Sequence, residues 1–363
     1  MKDPRDRWSA AVSRRTVLKA AATGATIAGA PWVWRRADAQ AKRIVIRDPG
    51  GPFAVAFQEA FYKPFREATG IEAVGVASAH EPTSQVKAMV DAKAYTWDMA
   101  LLSQPAMDQL VKDGPYLEKL ELDNHPDVAE IRPEFRSPYF VGNDVYSTIF
   151  AYRLDAFKGK KAPASWKDLW DLKGVPGRRA LRKHPFDTIE QALLADGVPK
   201  DKLYPCDIDR AFRSLDRIKK DVVVWWTAAA QTSQMLKTGE VDICPTWNGR
   251  AQAAIDDGAP ATIVWDQNLW ACEGWTILKG SPKIDLCREL IKFAASGKRQ
   301  AAFTPHLAYG PTNPSAYKHV DPKRASVLPT HPDNYAKSIR VDYEYWAANK
   351  EKVTERFNAW LIS

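Results

Sequence analysis

Apolar positions along this chain change period repeatedly, from two to about 3.6 residues and back. Residues 43–47 (RIVIR) form a short β-branched run and predict a strand. After the Asp48-Pro49-Gly50-Gly51-Pro52 turn, apolar residues at 53, 57, 60, 61, 64, 65 and 68 share one helical face. They predict a helix over 53–69 that Gly70 ends and that Pro64 is placed to kink. Further along, 71–77 and 97–102 predict strands, and 82–93 and 104–112 predict helices. Strand–helix alternation with loops this short argues for a parallel sheet covered on both faces.

The second half continues the theme. Residues 145–157 (VYSTIFAYRLDAF) alternate as an extended run. SWKDLWDL at 165–172 predicts a short helix with Ser165 as N-cap and Asp168 at its third position. Residues 188–195 and 207–219 predict helices, the latter with Phe212, Leu215 and Ile218 on one face. The stretch 222–250 reads as strand, helix, strand and helix start: 222–226 is apolar, Thr227 can cap, Gly239 can terminate, and 240–247 is extended again. Two more strands (262–265 and 274–278), a helix (286–295) and a patchily amphipathic helical tail (335–361) complete the reading.

Tryptophan is unevenly spread. Six of fourteen (225, 226, 247, 265, 270, 275) fall between 222 and 276, where even spacing would put about two. Most tryptophans are core residues. Trp247 differs, because it stands at a strand end before Asn-Gly-Arg, and ligands of open α/β sheets sit outside the carboxyl ends of strands. The Gly50-Gly51 turn likewise opens a helix at a strand end, where bare N–H groups can meet an anion or a ligand oxygen. It lacks the G-x-G-x-x-G of a dinucleotide site.

Residues 1–41 read as a leader. Ser13-Arg14-Arg15-Thr16-Val17-Leu18-Lys19 is a twin-arginine signature, followed by an Ala/Gly run and small-residue cleavage sites ending at Ala39 and Ala41. The run is shorter than the ~20 residues of a membrane span. A twin-arginine signal peptide over 1–41 implies export to the periplasm. The formal charge of +8 then falls to +3 for the remainder, because the leader carries eight basic and three acidic side chains. No nucleic-acid partner is expected on that balance, and the basic cluster Arg178, Arg179, Arg182 and Lys183 reads as a solvated face. Cys206, Cys244, Cys272 and Cys287 permit two disulfides in an oxidising compartment, in any of three pairings.

Enzyme chemistry finds no foothold. There is no G-x-S-x-G elbow, H-E-x-x-H, Walker loop or kinase signature. The six histidines are scattered without metal-ligand spacing, so no catalytic residue, metal or cofactor is expected. Binding is the better-supported class.

Several segments resemble the solute-binding proteins of ABC transporters, specifically the spermidine/putrescine-binding type. They are Gly50-Gly51 with FQEAFYKPFREATGI, then WDMALLS, SWKDLWDLKG, AAAQTSQMLKTGEVDICPTWNGR and AYGPTNPSA, five motifs in the family's order across most of the chain after the leader. The resemblance implies a two-lobed α/β fold (type II periplasmic binding protein) with a ligand cleft between lobes closing about a hinge. Lobe 1 would comprise 42–147 and 275–315, and lobe 2 148–274 and 316–363, with crossings near 145–152 and 272–278. It further implies a ligand site drawing on Gly51, Phe53, Ser103, Asp187, Trp247, Trp270, Glu273 and Tyr309. The expected partners are a small-molecule ligand and an inner-membrane ABC permease, with the protein a monomer. Polyamine ammoniums need carboxylates, since each buried charge costs several kcal/mol to desolvate and a cation–π contact returns about 0.5–2 kcal/mol; Asp187 and Glu273 would supply them. Where that family places further acids, this chain has His184 and Cys272. The ligand is therefore expected to be a small cationic amine or, alternatively, an amino-acid or opine-like zwitterion, with a secreted enzyme on the same fold as the rival from another class.

Overall fold

A computed structural model of the protein describes residues 42–78 and 81–363. Arg43–Ser363 form a compact unit that holds the sheet. The leader reading lies outside the described residues.

The strands are β1 (Arg43–Asp48), β2 (Glu72–Ala77), β3 (Met99–Ser103), β4 (Arg136–Ser137), β5 (Phe140–Arg153), β6 (Arg179–Arg182), β7 (Val222–Trp226), β8 (Ile243–Trp247), β9 (Ala261–Ile277), β10 (Gly310–Pro311) and β11 (Ile339–Arg340). They pair in the order β2-β1-β3-β9-β5-β8-β6-β7, with β4 and β10 on β5 and β11 on β9. The expected parallel pairing holds at the two wings, where β1 lies between β2 and β3 and β6 between β7 and β8. It fails at the centre. There β9 runs antiparallel to β3 and β5, and β5 antiparallel to β8.

The two strands expected at 262–265 and 274–278 are one strand of 17 residues, β9. Asp266-Gln267-Asn268 reads as a loop because it is polar. Instead it bends the strand: Gln267 takes a left-handed φ of 51°, and the Asn268 amide donates to the Trp265 and Asn334 carbonyls. The pairing of β5 with β9 shifts register between Thr148 and Phe150. The strand that carries 272–277 therefore begins at Ala261.

Buried apolar side chains gather into two main clusters. One draws on Ile44, Phe57, Leu101, Val145, Trp275 and Leu290. The other draws on Phe150, Trp166, Leu181, Leu193, Phe212 and Phe357. Local sequence explains the flanking elements. The Ser165 capping box forms as expected, and Gly239 ends its helix with φ 71°. The helix after the glycine turn does not simply kink at Pro64; α-helix over Pro52–Phe57 passes through a π-turn at Gln58–Tyr62 into Lys63–Thr69. Proline has no N–H and its ring crowds the preceding turn, and the wider π-turn just before it takes up that mismatch. All four cysteines are free and buried, so neither of the permitted disulfides forms.

Candidate functional site

Three strand ends meet at one place. Parallel pairing sets Arg182 of β6 beside Trp226 of β7, and Trp247 ends the neighbouring β8. The Arg182 guanidinium lies 5.6 Å from the Trp226 ring centroid and 5.1 Å from that of Trp247, and the two indoles meet edge-on at 6.1 Å. Desolvated cation–π contacts of this kind fix a guanidinium in place.

Asp187 holds the group from behind. It is buried, with a left-handed φ of 70° that interrupts the first turn of Pro185–Ala195. Its carboxylate accepts from Arg182 Nη1 at 3.1 Å and from the Thr148 and Trp247 side chains. Burial pushes the Asp187 pKa up, while Arg182 and these donors pull it down. The carboxylate thus positions both Arg182 and Trp247.

In front of Arg182 lies a cavity of about 290 Å³. Ser103, Pro105, Ala106 and Gln109 line it from the end of β3 and the first turns of Gln104–Asp113; Ser103 caps that helix by accepting from the Ala106 N–H. A helix N-terminus favours a negative group. Tyr146 enters from β5 and Glu81 from the segment before Thr83–Ala92. Helix Tyr343–Ile362 supplies Tyr343, Trp346, Ala347 and Lys350, which share one face by their three- and four-residue spacing. The Tyr343 hydroxyl is buried with no hydrogen-bond partner among the described residues. His184 also lines the cavity. Burial, then the nearby charges of Arg182 and Lys350, push its pKa down to about 4. It is neutral at physiological pH, its Nδ1 accepts from the Phe186 N–H, and its Nε2–H is left as a donor. No carboxylate pairs with it among the described residues. No group of three or more His, Cys, Asp or Glu there could hold a metal.

Of the residues singled out from sequence, Ser103 and Trp247 line this cavity and Asp187 stands one layer behind it. Phe53 and Tyr309 pack together at 5.6 Å, and Tyr309 lies 6.0 Å from Tyr146, so both back the wall. Gly51 sits on an exposed turn with φ 56°. Trp270 is buried between Phe135 and Tyr335. Glu273 is buried opposite Ser103 in the β3–β9 register, where its charge acts on Arg47. None of Gly51, Phe53, Trp270, Glu273 and Tyr309 lines the cavity.

Sequence reading passes over Glu81, Tyr146, Arg182, Tyr343, Trp346 and Lys350, whereas it includes the 184–188 loop, from which His184 and Phe186 line the cavity. The basic cluster needs correcting. Arg178 is exposed and pairs with Asp242. Arg179 is buried and donates to the carbonyls of Leu169, Asp171, Val175 and Gly177. Arg182 faces the cavity, and of the four only Lys183 is simply solvated. The available signal is the place of Arg182 at the end of a strand and five residues before Asp187.

Residues 60–330 match the family described as bacterial extracellular solute-binding protein. A gamma-aminobutyric acid-binding protein of Pseudomonas aeruginosa is 34% identical over 329 residues, which is 89% of this chain and 92% of that protein. The solved structure of the binding protein AgtB from Agrobacterium tumefaciens, in complex with agropinic acid, is 31% identical with a TM-score of 0.72, covering 88% of this chain and 99% of that one. The spermidine/putrescine-binding periplasmic protein of Escherichia coli stands further off, at 22% identity over 278 residues, 74% of this chain and 78% of that protein. This chain belongs to the bacterial extracellular solute-binding proteins, the substrate-binding components of ABC importers, and has their two-lobed α/β fold.

Proposed function

We propose that the protein captures an amino-acid-like zwitterion in the periplasm, where the 1–41 leader would deliver it by the twin-arginine route, and hands it to an ABC permease. The lobes would be 42–147 with 275–315 and 148–274 with 316–363. The observation that carries this reading is the cavity's charge pattern. Arg182, clamped by Asp187 and two indoles, presents a guanidinium suited to a carboxylate. Ser103 at its helix N-terminus and the His184 Nε2–H add donors. Glu81 is the one carboxylate lining the cavity among the described residues and would face an ammonium, with Tyr146, Trp247 and Trp346 against the methylenes.

A polyamine fits this pattern poorly. Two or three ammoniums would meet Arg182 and Lys350, with Glu81 the single lining acid among the described residues to offset them. The two relatives of higher identity, named for gamma-aminobutyric acid and solved with agropinic acid, support the same side of the choice.

Thermal unfolding of the full chain tests the reading. A ligand at a hundred times its dissociation constant adds about 2.7 kcal/mol to the native state. 4-Aminobutyrate or other amino acids should raise the midpoint, putrescine and spermidine should not, and Arg182→Met should abolish the shift. A shift with the diamines and none with any amino acid would overturn it.

A further inference from the structure

The zwitterion reading uses Arg182 for a carboxylate and Glu81 for an ammonium, and it leaves one lining charge without a task. Lys350 lies one turn beyond Trp346 on the cavity face of Tyr343–Ile362, is exposed, and makes no ion pair among the described residues. The Arg182 charge is already offset from behind by Asp187. Arg182, Lys350 and the neutral His184 imidazole all line the cavity, and both cations bear electrostatically on that imidazole. The cavity lining offers two cationic side chains and an imidazole N–H. A carboxylate bound on Arg182 leaves the Lys350 ammonium without an anionic partner among the described residues.

We infer that Lys350 is a specificity-determining residue that recognises a second anionic group, so the ligand class is an amino acid with two acidic functions, or a conjugate of one, rather than a simple ω-amino acid. This rests on the zwitterion reading of the same cavity and adds the second acid to it.

The experiment is titration calorimetry of the full chain with two probes, L-glutamate and 4-aminobutyrate, which differ by one carboxylate. The wild type should bind L-glutamate at least about tenfold tighter. Lys350→Ala should weaken L-glutamate about five- to tenfold, the size of a charge-assisted contact near solvent, and change 4-aminobutyrate by less than about twofold. Lys350→Arg should restore the preference. Because Lys350 is exposed, these variants fold as the wild type does, checked by an unchanged melting midpoint without ligand. If Lys350→Ala weakens both probes alike, or neither, or if the wild type does not bind L-glutamate, the inference is overturned. Arg182→Met separates the two levels. It should abolish binding of both probes, and retention of 4-aminobutyrate binding would overturn the zwitterion reading itself, whatever Lys350 does.

Discussion

Glu190 shows how one carboxyl can tie the site to the folding equilibrium. It is fully buried; Oε1 accepts from the Tyr204 hydroxyl at 2.7 Å and from Trp346 Nε1 at 2.5 Å, while Oε2 has no partner among the described residues. Burial, then the neighbouring Asp187, push its pKa from 4.5 up to about 7. The folded chain therefore holds a proton that the unfolded chain releases between about pH 4.5 and 7. The resulting stability is fully present below pH 4.5 and is lost as pH rises through 7. Urea unfolding of wild type and Glu190→Gln should show the difference moving in the variant's favour from pH 5 to pH 8, by up to about 3 kcal/mol. A difference that does not change with pH would refute this account. His184 works in the opposite direction, losing stability as pH falls from 6.5 towards 4. Little of this is legible in the sequence, which places an acid near a motif without showing which way it faces. The position of Asp187 after SWKDLWDL suggests a ligand group; its left-handed backbone turns it under Arg182 instead. Arg182 is hidden among basic neighbours that do unrelated work.

The elements are more legible, and the Trp-Asn-Gly-Arg stretch shows why. Its strand–helix junction follows from apolar alternation, but each residue's task needs the third dimension. Trp247 walls the cavity. The Asn248 side chain accepts from the Ser147 N–H at 3.0 Å and donates to the Ala308 carbonyl at 2.6 Å, joining β5 to the segment that carries Tyr309. Gly249 is small because the Tyr309 ring lies where a side chain would be; a Cβ at this position would come 2.5 Å from Cε1 of the ring. Gly249→Ala should push Tyr309 towards Tyr146, 6.0 Å away, costing about 1–3 kcal/mol as overpacking does and weakening ligand binding. Gly239→Ala is the control. It strains a left-handed helix end far in sequence from these rings, so it should lower stability by about 1 kcal/mol and leave affinity unchanged. Equal effects of the two variants on affinity would show that Tyr309 does not support the cavity wall. The elements that sequence misreads, β9 and the π-turn before Pro64, are those in which a polar triplet or a proline is absorbed by a local distortion rather than ending the element.

On the scale of the whole molecule, the two long strands mark where motion is expected. Along β5, membership of the core passes from the first cluster at Val145 to the second at Phe150, and along β9 the second cluster's Leu269 and Ala271 interleave with the first cluster's Trp270 and Cys272. The register break between Thr148 and Phe150 and the left-handed Gln267 lie beside that change. The cavity draws Ser103 from the first side and Arg182 and Trp247 from the second, so a ligand touching all three favours the arrangement that brings them together. A ligand shifts such an equilibrium only by its difference in affinity for the two arrangements. Small-angle scattering of the full chain should therefore show a smaller radius of gyration at saturating ligand than without it, and Arg182→Met should lose the contraction together with the affinity. If calorimetry shows saturation while the scattering curve stays the same, the ligand is held without closure, and the central strands are a rigid support rather than a hinge.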